Sequence, residues 1–429
     1  MLSNHDECSL FWTKVTRQIM DDEQGVSKHD DCVCDWATLP DLLLEKVFYF
    51  LSLRDRYHAS TVCRHWYNVF YSPSIWRELV MTPTTFTHLR HTPYKGYWAE
   101  LSLHKVQMCL EKVGSFLHTI QVEPVNEFYN LYEFLRILNV FLEFDQDDAP
   151  LQSLTNFYFT FCCEKLRNFT LDLYPVFVAG MFPNLTTLVT SPQQLSPDIV
   201  RILGNSKVTN LYIIQDQYCN KFYFIDKDIW KATAEKAPDL KVHLSARGET
   251  LLDINWQDSA PVTSIVYTTK HSKMYSVAID TITVLYSSCL QVYGHFDLPR
   301  YHGSRSFTSR CDSHLVDLIK TCSKIHTLIV RERISTATLI ILAREGTSLK
   351  KLFVRRNALL KRCDWQRMLM WDEDYYWTMR RCSHSYQTTF DEVSRCLGYQ
   401  WQPLTDREFK RLTQLYCNDV SAQSDFDTT

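Results

Sequence analysis

Fifteen cysteines are scattered through this 429-residue chain, and one set has ligand-like spacing: Cys311, His314, Cys322 and His326, which read C-x2-H-x7-C-x3-H. Thiolates and imidazoles so spaced could close a tetrahedral zinc site. However, Leu315, Leu318 and Ile319 predict a helix over 314–320, and His326 falls in a predicted strand, so core or surface roles are expected and metal is not. An enzyme acting through the Cys311 or Cys322 thiol stays open as a third reading. Cys32-Val33-Cys34 is too short a spacing to close such a site. No C-x-x-C, P-loop, G-x-G-x-x-G, H-E-x-x-H or G-x-S-x-G pattern occurs. The commonest routes to RING-type zinc, phosphate, dinucleotide and hydrolase chemistry therefore have no residue to start from.

Two charge clusters could bind rather than react. Glu143, Asp145, Asp147 and Asp148 form an acidic run that could attract a basic partner, with a solvated turn as the plainer reading. Arg355, Arg356, Lys361 and Arg362 could hold an acidic or phosphorylated segment, with ordinary surface charge as the plainer reading.

The bulk composition limits the function classes. With 45% apolar residues the chain can fill sizeable cores, and a net charge of -3 supplies no general basic field for nucleic acid or anionic membrane. Only 10 glycines and 14% aromatic residues suit packed helices and short strands. Cysteines embedded in apolar runs, as at Cys63, Cys109, Cys162 and Cys289, predict reduced thiols. The polar N-terminal stretch and the lack of a long apolar run predict a soluble protein of cytosol or nucleus.

The elements follow from periodicity. Residues 1–35 are polar and predict a flexible tail. From Pro40, Leu43, Val47 and Leu51 recur at four-residue spacing beside Leu44 and Phe48, giving a helix with a wide apolar face. Ser52 with Asp55 opens a second helix that carries Ala59, Val62, Cys63 and Trp66 on one side, and Ser72-Pro73 starts a third short turn bearing Ile75 and Trp76. About 45 residues bury little surface by themselves, so this piece should need a covering partner.

Downstream, apolar-x-x-apolar-x-apolar triplets recur: Leu117/Ile120/Val122, Leu166/Phe169/Leu171, Val208/Leu211/Ile213, Val262/Ile265/Tyr267, Ile325/Leu328/Val330 and Leu349/Leu352/Val354, with weaker copies at Leu185/Leu188 and Leu240/Val242/Leu244. Leu154/Phe157/Phe159 lies too close to its neighbour for a full repeat. Helical patterns lie between several of them, as at Ser196–Leu203 and Thr336–Arg344. The fold class is thus α/β: N-terminal helices, then an irregular leucine-rich repeat-like strand-helix solenoid, then a helical C-terminal cap. The expected organisation is a 1–35 tail, a 36–80 helical domain, an 81–115 helical connector, 116–356 repeats and a 357–429 cap. Residues 301–310 predict an exposed loop. Thr389 with Glu392 and Thr405 with Glu408 predict capping boxes, Leu404 and Phe409 a hydrophobic staple, and Trp365, Trp371, Trp377 and Trp401 an ordered cap.

Residues 39–79 resemble the F-box family: Leu39-Pro40, an apolar helix, an Arg54-Asp55 linker, Val62-Cys63-Arg64 with Trp66, then Pro73-Ser74 and Ile75-Trp76, in that order. Leu42 stands where the family commonly has an acid, and Arg56 where it commonly has Leu. The C-terminal stretch, LFVRRNALLKRCDW with SYQTTFDEVSRCLGYQWQPLTDREFKRL, is similar to the end of an F-box-only type of chain. The resemblance implies a non-catalytic, cofactor-free substrate receptor of a Skp-cullin-F-box ubiquitin ligase, its helices on a Skp-type adaptor that leads to cullin and RING subunits. Leu39, Pro40, Leu43, Leu44, Val47, Phe48, Leu51, Val62, Cys63, Trp66, Ile75 and Trp76 would form the adaptor-binding set. Within it, Leu44 and Val62 are expected inside, and Leu39, Pro40, Phe48, Cys63 and Trp76 in contact. An alternative keeps the helices as the solenoid's own cap in a scaffold that works outside any ligase.

Overall fold

The computed structural model describes residues 36–418 except 94–95, 123–127, 144–150, 160–181, 218, 220–221, 251–252, 301–302 and 370. The Leu166 triplet, the Cys32 pair and most of the acidic run lie outside the described residues. The chain divides into two compact units, 1–158 and 159–429. The segment expected as connector and the first predicted repeat strand therefore group with the N-terminal helices.

Three helices begin the first unit: α1 (Asp41–Phe50), α2 (Leu53–Ser60) and α3 (Arg64–Phe70). Pro40 precedes α1, where its missing N–H costs nothing. Ser52 caps α2 by accepting from Asp55 N, as its spacing predicts. The second helix does not run on to Trp66. It stops at Ser60, and Cys63 Sγ accepts from Trp66 N to open α3.

Residues 81–115 are also not uniformly helical. After β1 (Glu78–Met81), β2 (Thr87–Thr92) and β3 (Gly96–Leu101) pair antiparallel, and Arg90 bridges to Glu100 at 2.8 Å across them. Only α4 (Leu103–Val113) is helical in this stretch apart from a short turn at its end. β4 (Thr119–Val122) runs parallel to β1, α5 (Phe128–Glu143) follows, and β5 (Asn156–Phe159) is next to β4. Buried Asn130 on α5 fixes the hairpin, accepting from Leu101 N at 2.7 Å and donating to Ala99 O at 3.1 Å.

The second unit is a strand-helix solenoid. β6 (Thr187–Thr190), β7 (Asn210–Gln215), β8 (Lys241–Arg247), β9 (Val262–Thr268), β10 (Val292–His295), β11 (Thr327–Val330) and, past the short β12 (Ile334–Ser335), β13 (Lys351–Val354) line up in chain order, each parallel to the next. α6 (Pro197–Leu203), α7 (Lys227–Lys236), α8 (Ser276–Tyr286), α9 (Asp312–Thr321) and α10 (Thr336–Glu345) pack between strands. The predicted triplets among the described residues put their later residues on strands, with the first residue just before the strand in all but the Val262 triplet, because alternate side chains must enter one shared core. β10 was not expected. It adds a strand-and-helix unit to the long gap between the Val262 and Ile325 triplets.

β12 pairs with β14 (Leu359–Leu360), and α11 (Glu373–Cys382), α12 (Tyr386–Leu397) and α13 (Asp406–Asn418) finish the chain. Thr405 and Glu408 form the predicted box, with Thr405 N donating to Glu408 at 2.8 Å and Glu408 N donating to Thr405 Oγ1 at 3.3 Å. The Thr389 box does not form: α12 starts earlier, and the Thr389 hydroxyl lies inside it, donating to Ser385 O and Cys382 O. Gly398 takes the left-handed turn (φ 78°) that ends α12. Trp365, Trp371 and Trp401 are buried, while Trp377 is exposed.

α13 lies on the strands. Its Phe409 and Tyr416 pack with Val266, Val292, Phe296 and Ile329, and Leu404, Leu412 and Phe353 join them. β9, β10 and β11 are consequently buried along their whole length. Two buried arginines tie loops to this core. Arg331 donates to Thr269 O at 2.8 Å, Phe296 O at 2.7 Å and Ser272 Oγ at 3.0 Å, and burial lowers its pKa. Arg310, expected in an exposed loop, is instead sealed against Asp312 at 2.7 Å and Asp364 at 2.5 Å.

Candidate functional site

α1 is apolar on two sides. Leu44 and Phe48 enter a core with Val69, Phe70, Ile75, Trp76 and Val113. Aromatic edges interlock there: Phe48 meets Trp66 at 5.9 Å and Phe70 at 6.2 Å, and Phe70 meets Trp76 at 5.1 Å. Trp76 Nε1 donates to Phe70 O at 2.5 Å, so even its polar edge is satisfied inside.

The other side faces solvent. Leu43 is 50% exposed, Val47 42% and Phe50 83%, and their i, i+4, i+7 spacing puts them on one stripe. Leu42 and Tyr49 flank it, and Val62 and Trp36 stand exposed on neighbouring segments. Exposed apolar side chains gathered on one helix face make this the candidate contact surface of the first unit.

Arg56 shapes the stripe's end. Its guanidinium donates to Phe48 O (2.9 Å), Leu51 O (3.1 Å), Tyr49 O (3.1 Å) and Ile75 O (2.9 Å), gathering the C-terminal carbonyls of α1 and joining them to the loop after α3. It also lies 5.8 Å over the Trp76 ring. At the other end His65 meets Leu39 O at 2.9 Å, and Trp66 Nε1 donates to Trp36 O at 3.1 Å.

The predicted adaptor-binding residues split. Pro40, Leu43, Val47 and Val62 are exposed; Leu39, Leu51, Cys63 and Trp66 are half-buried; Leu44, Phe48, Ile75 and Trp76 are buried. Phe48 and Trp76, expected in contact with a partner, are sealed by α1–α3 and Val113 and serve as core instead. Val62, expected inside, is exposed because α2 ends before it. Leu42, Tyr49 and Phe50 were missed, although Phe50 lies one heptad after Leu43 on the same predicted face.

The other candidates do not assemble. Cys311 Sγ donates to Met274 O, His314 pairs with Asp280, Cys322 is buried at the end of α9, and His326 bonds Thr327. Burial pushes the Cys311 thiol up to about 11 and the Cys322 thiol to about 12, so both stay protonated at neutral pH. Among the described residues no three His, Cys, Asp or Glu side chains converge as a metal site, and no helix is long and apolar enough to cross a membrane. Of the basic cluster, Arg355 is 7% exposed and committed to Asp406 at 2.7 Å, and Arg362 pairs with Asp364.

An F-box-like family model matches residues 36–82, which contain the whole of α1–α3. F-box/LRR-repeat protein 21 of Mus musculus is 41% identical over 61 residues, 13% of this chain and 14% of that protein. The same-named protein of Ovis aries also gives 41% over 61 residues, and that of Bos taurus 46% over 44 residues, 10% of each chain. The matches thus span about a seventh of these relatives or less.

Proposed function

We propose, from the premise that this chain is an F-box protein, that it is the substrate-recognition subunit of a Skp-cullin-F-box ubiquitin ligase. The exposed Leu43/Val47/Phe50 stripe, inside the matched segment, carries the reading: it is an apolar helix face that a Skp-type adaptor would cover. The adaptor would link the chain to cullin and RING subunits, and the solenoid would hold a target protein. The chain itself need supply no chemistry. Holding a target lysine beside a charged conjugating enzyme raises its effective concentration, and ubiquitination for proteasomal degradation follows.

Adaptor capture tests this. A variant with Val47→Asp and Phe50→Asp should fold normally and lose capture of purified Skp-type adaptor, while the solenoid's own partners stay bound. Normal capture by that folded variant would count against the reading. Point variants serve better than deleting residues 36–82, since deletion would strip cover from Val113, Cys109 and Phe116, which pack on the same core.

A further inference from the structure

Where α13 packs on β9–β11, the strand face is closed to partners. Residues 222–227, after β7, and 255–258, after β8, line an open cavity of about 500 Å³. Phe224 (87% exposed) and Phe222 (38%) stand at it beside Trp256. Its inner wall is packed and hydrogen-bonded. Ile225 is buried, and Gln257 accepts from Trp230 Nε1 at 3.1 Å while its N–H donates to the Tyr286 hydroxyl at 2.9 Å.

The charges at this cavity are unbalanced. Asp226 and Asp258 both line it against one cation, Lys227. Asp226 Oδ1 accepts from Asp228 N at the start of α7 and Asp258 Oδ1 from the Ser259 hydroxyl, and both carboxylates stand at exposed positions. Exposed aromatic faces beside carboxylates suit a cation that can stack and donate together. A guanidinium does both, since it is planar, weakly hydrated and forked, whereas an ammonium is a strongly hydrated point charge.

We propose that this cavity recognises an arginine side chain in an exposed segment of the target protein. The proposal rests on the substrate-receptor reading and assigns that reading a recognition site. The guanidinium would stack on Phe222 or Phe224 and donate to Asp258, while the neighbouring peptide lies along the loop edge.

The test uses the full chain with N-acetyl-arginine amide as probe and N-acetyl-citrulline amide as its uncharged counterpart, followed by saturation-transfer NMR and titration calorimetry. The arginine probe should bind at least about threefold more tightly than the citrulline probe, as cation–π and charge-assisted bonds require. Phe224→Ala and Asp258→Asn, both at exposed positions, should each weaken it at least about threefold with unchanged melting temperature. Equal binding of the two probes, no binding of either, or variants that bind like the parent would overturn the proposal. Adaptor capture measured on the same samples keeps the two readings apart: captured adaptor with no probe binding rejects the cavity alone.

Discussion

Truncating Leu43, Val47 and Phe50 together to Ala should separate docking from folding. Full burial of such side chains is worth about 1.5–3 kcal/mol each. Weighted by exposures of 50%, 42% and 83%, the stripe offers a partner several kcal/mol. Alanine retains part of that surface, so the loss should be about 3 kcal/mol, roughly a hundredfold in Kd. Because Leu43 and Val47 are about half covered by their own unit while Phe50 is mostly open, stability should fall by only about 1–2 kcal/mol. Phe48→Ala is the control: it empties a fully buried site and should cost about 3–5 kcal/mol of folding stability. Calorimetry against a purified Skp-type adaptor, with urea unfolding of each variant, gives both numbers. A folded triple variant with parental affinity would refute the assignment of this stripe as the docking face.

Other substitutions test the fold around the sites. Arg56→Ala should cost about 2–3 kcal/mol, because four carbonyls lose a charged donor, and adaptor affinity should fall with α1 order by circular dichroism. Arg331→Met should lower stability of the second unit by about 3–5 kcal/mol in urea titration, since it leaves buried carbonyls of Thr269 and Phe296 without their donor. Burial lowers His243 to about 3 and His295 well below its ordinary value, so both stay neutral when folded while the unfolded chain takes up protons. Their contribution is therefore intact above about pH 6.5 and is lost as the pH falls from there toward 3, and His243→Phe should flatten that part of a stability profile. Asp406 is lowered by its bond to Arg355, so its contribution holds at neutral pH and fades as acid protonates it; Asp406→Asn should remove that acid sensitivity from α13 docking, followed by hydrogen exchange.

The sequence made some elements legible and concealed others for identifiable reasons. Strand triplets were readable because a solenoid strand must send alternate residues into one core. β10 escaped because buried His295 and Gly294 break the apolar pattern. Gly294 is required there, since a Cβ would come within 2.5 Å of the Ile329 side chain on β11. The hairpin of β2 and β3 was hidden by residues polar on both faces, such as Arg90 and His91. Leu44 was expected inside and is fully buried, whereas Phe48, one turn further along α1 and expected at a partner, is buried with it because packing against α3 decides which apolar side of the helix turns inward. Charge misled in the same way: Arg310 and Arg331 look like surface residues until a partner carboxylate or a set of carbonyls encloses them. The Thr389 box failed because α12 begins at Tyr386, leaving that threonine inside a helix already started.

The most direct measurement is site-specific photo-crosslinking. A benzophenone side chain at Phe50 should join the chain to a Skp-type adaptor in a purified mixture, while the same group at Leu89, equally open at 75% exposure but on β2, should not. Crosslinking at Leu89 and none at Phe50 would contradict docking through α1.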